Sequence, residues 1–213
     1  MKKALFTSLV KGERYEDEFN YLYKEFSKQG IDYRKYTPEV FNFNEKLKAI
    51  KPYLTDTLVL LDTDHMLRGK VKLNLLEKLE EGIFVQYFRS YLIKDSLEED
   101  VELNGYFEVL KSKYGHTCIN FLDESMIVFN IPDEKKRNLF VETWGNLIEY
   151  TKHNSPFRIS DQNYGALEGC LIAIAASEAG IPIYEDKLRE FFDTFEHYGP
   201  VRGHRIKVTA TVV

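Results

Sequence analysis

The stretch that decides the fold is Thr57-Leu-Val-Leu-Leu-Asp-Thr-Asp64. Its apolar residues follow one another without interruption, which is typical of a strand buried on both faces, as in a parallel sheet. The strand ends abruptly at Asp62 and Asp64, which we call the Asp couplet. Because open α/β sheets bind ligands at the carboxyl ends of their strands, we expect the couplet to face a ligand. The alternative is a solvated loop in which Asp64 caps a helix.

The residues before the couplet predict a βαβαβ unit within the first 62 residues of the chain. Short apolar runs predict strands at residues 4–10 and 31–36. Between them, apolar and aromatic side chains recur at helical spacing, and Gly30 follows as a stop signal. A second helix, which could begin at Pro38, is predicted before the strand at 57–61. Right-handed crossovers should then stack these strands in one sheet with helices on both faces.

The rest of the chain continues without a convincing linker, which predicts one α/β domain over residues 1–213. The next predicted elements are a short helix at 73–79, a strand at 83–88, an irregular stretch at 94–116 and a strand at 126–129. Asp133 should cap a long helix, whose apolar stripe is Leu139, Phe140, Trp144, Leu147 and Ile148. After it we predict a helix at 163–179 that ends at Gly180, a helix at 185–196, a loop at 198–204 and a strand at 206–213. We therefore predict a Rossmann-like domain with a mixed, mostly parallel sheet.

Composition limits the class of protein. The 213 residues carry 29 basic and 34 acidic side chains, and this net charge of −5 argues against a broad nucleic-acid surface. Two cysteines, Cys118 and Cys170, are too few for a disulfide framework, so we expect reduced thiols and a cytoplasmic location. No apolar run approaches the roughly 18 residues of a membrane span, and residues 4–10 indicate a first strand rather than a signal peptide.

Several motifs of other enzyme classes do not occur in the sequence. It has no Gly-x-Gly-x-x-Gly and no Gly-x4-Gly-Lys-Ser/Thr, so neither a dinucleotide site nor a P-loop is predicted. It also lacks the Gly-x-Ser-x-Gly of serine hydrolases. The Asp couplet is therefore the strongest candidate for chemistry, because two carboxylates at i and i+2 can converge on one hard cation.

The couplet and three further motifs resemble the GT-A glycosyltransferases, in particular the retaining enzymes of the glycogenin type. The Asp-x-Asp closes the third predicted strand, and the first strand carries Thr7-Ser8 with Tyr15 nearby. Downstream, Asn120-Phe-Leu-Asp-Glu-Ser-Met-Ile-Val-Phe-Asn-Ile-Pro-Asp133 is similar to a family stretch with asparagine, a hydrophobic strand, asparagine and proline. Ser160-Asp161-Gln162 and His197-Tyr-Gly-Pro-Val-Arg202 look like the family's Asp-Gln pair and its C-terminal histidine loop. Together the motifs span roughly residues 4 to 205.

The resemblance implies a metal-dependent transferase that uses a nucleotide sugar. Asp62 and Asp64, with His197 or His204, would hold Mn²⁺ or Mg²⁺ on the donor diphosphate. The resemblance places Asp161 and Gln162 at the donor sugar and the reacting carbon. The implied nucleotide-sugar contacts are Thr7, Ser8, Tyr15, Asp62 and Arg202. Residues 1–64 would form the nucleotide-binding half, and residues 65–213 the acceptor half with the C-terminal metal loop.

Elementary chemistry supports these roles. A divalent cation would neutralise the charge that develops on the departing diphosphate, and Arg202 could add charge-assisted hydrogen bonds. Because the transition state is oxocarbenium-like, a carboxylate such as Asp161 helps beside the anomeric carbon. Asp161 would deprotonate the acceptor hydroxyl in an inverting enzyme and lie on the donor face in a retaining one. It could also cap the helix predicted from residue 163.

The sequence thus predicts transfer of a hexose, from a UDP-sugar first of all, to a hydroxyl acceptor; a homodimer is compatible with this function. One alternative is a haloacid-dehalogenase-like phosphatase with Asp62 as nucleophile and Asp64 as general acid. That class needs a later lysine and a C-terminal acidic pair after a strand, and two strands here precede the motif. Another alternative is a catalytically inactive GT-A-like binding protein. Leu122-Asp123-Glu124, which stands where the family has small residues, would favour it.

Overall fold

A mixed six-stranded sheet organises the part of the chain that the structure describes. The structure is a computed structural model, and it describes residues 4–39, 45–92, 118–123, 125–153 and 168–197. The strands are β1 (Leu5–Leu9), β2 (Asp32–Tyr36), β3 (Leu58–Leu61), β4 (His65–Leu67), β5 (Gly82–Val85), β6 (Phe88–Leu92), β7 (Cys118–Leu122), β8 (Met126–Asn130), β9 (Ile183–Glu185) and β10 (Phe195–His197). The helices are α1 (Glu13–Lys28), α2 (Lys46–Ile50), α3 (Glu134–His153), α4 (Glu168–Glu178) and α5 (Arg189–Phe192), with 3-10 turns at Lys51–Tyr53 and Leu73–Leu76.

The order of the main sheet is β2-β1-β3-β8-β5-β9. Strand β1 pairs in parallel with β2 and β3, and β5 pairs in parallel with β9. Strand β8 lies between β3 and β5 and is antiparallel to both. Two small sheets complete the topology, β10-β4 and β6-β7. The prediction of an α/β protein with a mixed, mostly parallel sheet is therefore confirmed, as is the βαβαβ unit.

Helices cover both faces of the sheet, as predicted. One face packs against α2, α3 and α4, and the other packs against α1 and α5. Strand β3 is buried on both sides, since Leu58 and Leu60 join the first apolar cluster while Val59 and Leu61 join the second. The uninterrupted apolar run of β3 is explained by this double burial.

Helix α1 ends as predicted, and the long helix α3 begins as predicted. Gly30 follows α1 with a φ of 68°, a conformation that favours glycine. Asp133 caps α3, because its Oδ1 accepts hydrogen bonds from the backbone N–H groups of Lys135 and Lys136 at 2.8 and 3.0 Å. Of the predicted apolar stripe of α3, Leu139 is wrong, since it is 44% exposed while the other four side chains are buried.

Three predicted elements need correction. The strand at 83–88 is divided, since β5 ends at Val85 and β6 starts at Phe88. Of the helix that could begin at Pro38, the structure describes α2, with Pro52 in the 3-10 turn after it, while residues 40–44 lie outside the described residues. The helix at 73–79 is only the 3-10 turn Leu73–Leu76. The predictions for 94–116, for the start of the helix at 163 and for 198–213 lie outside the described residues.

The predicted helix at 185–196 is instead β9, the short helix α5 and β10. Asp186 adopts a φ of 60° directly after β9, and the Thr194 hydroxyl donates to the Phe191 carbonyl where α5 ends. Strand β10 then pairs with β4. The apolar side chains of this segment are all buried, but on a turn, a short helix and a strand rather than on one helix face: Leu188 before α5, Phe191 and Phe192 in α5, and Phe195 in β10.

Replacement of Gly82 by alanine is expected to lower the free energy of unfolding by about 1–3 kcal/mol. An added Cβ would lie 2.6 Å from Cε2 of Tyr184 and 3.0 Å from the Pro182 carbonyl oxygen. The Tyr184 ring cannot move away freely, because its hydroxyl bonds Glu80 at 2.9 Å and the Lys187 ammonium lies 3.5 Å from its centre. Urea unfolding would measure the difference. Gly69→Ala is the matched control, since nothing lies within 4 Å of its added Cβ, and equal effects of the two changes would contradict the clash.

Candidate active site

The Asp couplet lies at the carboxyl end of β3, as the sequence predicted. The Asp62 N–H donates to the Ser125 carbonyl oxygen at 2.8 Å, which ties the start of the couplet to the turn before β8. The Thr63 hydroxyl donates to Glu18 at 2.8 Å, which ties its middle residue to α1. The chain then enters β4, whose first residue, His65, is paired across the ladder with His197 of β10. This ladder brings the C-terminal histidine to the couplet.

Asp64 and His197 are in direct contact. The His197 Nε2 atom lies 3.2 Å from Asp64 Oδ1, and the two side chains are 50% and 21% exposed. This oxygen is buried, and among the residues that the structure describes His197 and His65 are the cationic side chains that approach it.

His65 supports this arrangement from the interior. Its Nδ1–H donates to the Asp62 carbonyl oxygen at 2.9 Å, and Nδ1 lies 3.7 Å from Asp64 Oδ1. The rings of His65 and His197 stack with their centres 4.8 Å apart. His65 is therefore a buried side chain in contact with the couplet.

The electrostatics of the couplet differ between its two members. Burial opposes ionisation of Asp64, but His197 and the charge of His65 outweigh it, so the pKa of Asp64 lies below its ordinary value. The contact with Asp64 raises the pKa of His197, while burial lowers the pKa of His65. Burial raises the pKa of Asp62, and Lys46 only partly opposes this effect. Asp64 is therefore the more readily ionised carboxylate.

Asp62 binds a lysine that the sequence analysis missed. Lys46 Nζ lies 2.9 Å from Asp62 Oδ1 and 3.4 Å from Glu168 Oε2. The side chains of Lys46 and Glu168 are each 1% exposed, whereas Asp62 is 28% exposed. We call these three residues the buried charge bridge. One signal in the sequence is that Glu168 is the charged residue directly before the uncharged run 169–177, but no motif connects it with Lys46.

Tyr15 lies near the couplet, as expected. Its ring is half-buried, and burial raises the pKa of its hydroxyl, with further contributions from the charges of Asp62 and Asp64. The Arg14 guanidinium lies 5.9 Å from the centre of the same ring. The side of the site that faces α1 is therefore aromatic with a cation above it.

The structure corrects the prediction that Thr7 and Ser8 contact a nucleotide. Both side chains are buried in β1, at 1% and 0% exposure. The Ser8 hydroxyl lies 2.6 Å from that of Tyr33 and donates to the Leu61 carbonyl oxygen, so it holds β1, β2 and β3 together. The Thr7 hydroxyl is fully enclosed and has no hydrogen-bond partner among the residues that the structure describes. The two residues that the resemblance assigned to the nucleotide sugar are therefore part of the sheet interior.

The remaining predicted site residues, Asp161, Gln162, Arg202 and His204, lie outside the described residues. Within the described ranges, no three His, Cys, Asp or Glu side chains form a complete metal-binding group. Asp64 and His197 come together, while Asp62 is directed to Lys46.

No protein-family model, curated protein or solved structure matches this chain. The function must therefore be inferred from the geometry of the site itself. Among the helices that the structure describes, none combines the length and the apolar character needed to cross a membrane.

Proposed function

We propose that this protein is a metal-dependent GT-A glycosyltransferase that moves a hexose from a nucleotide-diphosphate sugar, first of all a UDP-sugar, to a hydroxyl acceptor. The observation that carries the proposal is the contact between Asp64 at the end of β3 and His197 of β10. Two residues far apart in the chain, both assigned to one cation by the resemblance, lie within 3.2 Å of each other.

The spacing of these two side chains suits a shared divalent cation. Mg²⁺ binds its ligands at about 2.1 Å in an octahedral arrangement, so neighbouring ligands are about 3.0 Å apart. The 3.2 Å between Asp64 Oδ1 and His197 Nε2 is close to this value. This spacing supports Mn²⁺ or Mg²⁺ on these two side chains, and Asp62, whose Oδ1 lies on Lys46, would contribute its other oxygen. A bound cation would offset the charge of the donor diphosphate.

The other described residues support this site without binding the cation. His65 fixes the chain between the two carboxylates through its bond to the Asp62 carbonyl oxygen. Lys46 places a second positive charge 2.9 Å from Asp62, where the couplet meets the sheet. Tyr15 offers a half-buried ring beside the couplet, which suits stacking on a nucleobase. The proposed roles of Asp161, Gln162, Arg202 and His204 remain predictions.

The phosphatase alternative gains one observation, because Lys46 contacts Asp62, the residue that would be the nucleophile. However, Lys46 precedes the couplet in the chain, whereas that class needs a later lysine. An inactive binding protein would keep the cation contact and lack turnover. We retain both alternatives as outcomes of one experiment.

The test is a screen of nucleotide sugars for Mn²⁺-dependent hydrolysis of the donor, which needs no knowledge of the acceptor. We expect release of UDP from at least one UDP-sugar, its loss with EDTA, and a rise in Tm when UDP and Mn²⁺ are added together. His197→Gln should lose both responses, while Glu196→Gln, one residue away and paired with Arg68 outside the site, should keep them. A Tm rise without hydrolysis would indicate the binding protein. Mg²⁺-dependent cleavage of a simple phosphate ester would indicate the phosphatase. If wild type shows neither donor hydrolysis nor a Tm rise, the proposal is refuted.

A further inference from the structure

The buried charge bridge contains a glutamate whose depth calls for an explanation. Glu168 is 2% exposed, on the first turn of α4, and α4 packs against α3 and β7. Glutamate is rarely buried this deeply unless it is paired. Its carboxylate contacts the ammonium of Lys46, which is equally buried.

Stability alone does not account for this arrangement. Buried ion pairs repay their desolvation cost poorly, and well-packed apolar residues of similar volume are often as stable. Here two carboxylates share one ammonium, so the bridge carries a net negative charge when all three groups are ionised. The geometry instead fixes a position, because an ammonium held between two carboxylates has far fewer arrangements than one on a flexible side chain.

We propose that Glu168 is a positioning residue of the candidate active site: it anchors the Lys46 ammonium against Asp62. Lys46 is thereby held beside the couplet, where its Nζ atom lies 2.9 Å from Asp62 Oδ1. The Asp62 side chain is 28% exposed, whereas Lys46 is 1% exposed. The consequence for turnover rests on the proposed function, whereas the anchoring itself does not.

The anchoring is tested by NMR detection of lysine ammonium groups in the ¹⁵N-labelled full chain. A buried, hydrogen-bonded ammonium exchanges its protons slowly, so wild type should show a resolved Lys46 signal, assigned by its absence in Lys46→Arg. Glu168→Gln, which removes the charge at nearly constant size, should abolish or strongly shift this signal. Glu168→Asp, which keeps the charge, should retain it. Glu190→Gln makes the same exchange on an exposed side chain and should leave the signal unchanged.

The effect on the reaction is measured on the same variants as Mn²⁺-dependent hydrolysis of the nucleotide sugar that wild type accepts. Glu168→Gln should lower kcat by about tenfold to a hundredfold, because small misplacements of a site have effects of this size. Its KM should stay within about threefold, and Glu168→Asp should recover most of the lost kcat.

Each result decides one part of the proposal. An unchanged Lys46 signal in Glu168→Gln, or no slow-exchanging Lys46 signal in wild type, would overturn the anchoring. Equal losses of kcat in Glu168→Gln and Glu168→Asp would show a packing role and overturn the positioning role. If wild type hydrolyses no nucleotide sugar, the proposed function fails, while the NMR comparison still decides whether Glu168 anchors Lys46.

Discussion

Asp64→Asn is expected to lower Mn²⁺-dependent turnover by about a thousandfold, since a cation supplies several kcal/mol of charge stabilisation at a leaving diphosphate. The exchange keeps the shape of the side chain and removes the charge that makes Oδ1 a strong ligand. The rise in Tm with UDP and Mn²⁺ should vanish with it. Steady-state hydrolysis and thermal unfolding would measure the two effects.

The fold of this variant should survive, because Asp64 is partly exposed and its neutral replacement is less costly to bury. Asp56→Asn, an equivalent exchange at an exposed position on the other end of β3, is the control. It should leave both turnover and the Tm rise intact. Wild-type turnover in Asp64→Asn would show that the couplet does not hold the cation.

Lys46→Met is expected to lower the free energy of unfolding by about 3–5 kcal/mol at pH 7, because it removes the ammonium that the partly exposed Asp62 and the buried Glu168 share. The loss should be smaller at pH 5. Burial already raises the pKa of Asp62, and removal of Lys46 raises it further. The folded state then binds protons more readily than the unfolded state, so stability falls as pH rises through this range. Urea unfolding at the two pH values would measure the loss.

Lys48→Met provides the matched control for this change. Lys48 is two residues away and 65% exposed, and its pair with Glu45 is of the surface kind, which contributes about 0–1 kcal/mol. Similar losses in Lys46→Met and Lys48→Met would contradict the account of the bridge as a buried cluster of charges.

The first half of the fold follows from local patterns. The apolar run of β3, the helical spacing in α1 and the stop at Gly30 each depend on neighbouring residues, and all are found in the structure. The reversed direction of β8 could not be predicted, because it is decided by pairing with β3 and β5 rather than by its own sequence. The prediction of one helix at 185–196 was wrong, because buried phenylalanines at helical spacing also suit a short helix followed by a strand.

The candidate site likewise contains one part that local sequence patterns predict and one part that they do not. The position of the couplet at the end of β3 follows from strand burial, and the resemblance placed a histidine of the C-terminal loop beside it. Lys46 and Glu168 escaped notice because their pairing joins distant segments and leaves no local pattern. The resemblance assigned Ser8 to the nucleotide sugar, and its actual partners, Tyr33 and the Leu61 carbonyl group, come from neighbouring strands that its own sequence does not reveal.

The central place of β8 has a consequence for how the chain can fold. Strands β1, β2 and β3 come from the first 61 residues, but β3 stays an open edge until residues 126–130 arrive. An open, wholly apolar edge strand invites pairing with other chains. A fragment whose synthesis stops before residue 126 should therefore be prone to aggregation. In the full chain, formation of the long-range pairing between β3 and β8 should limit the folding rate.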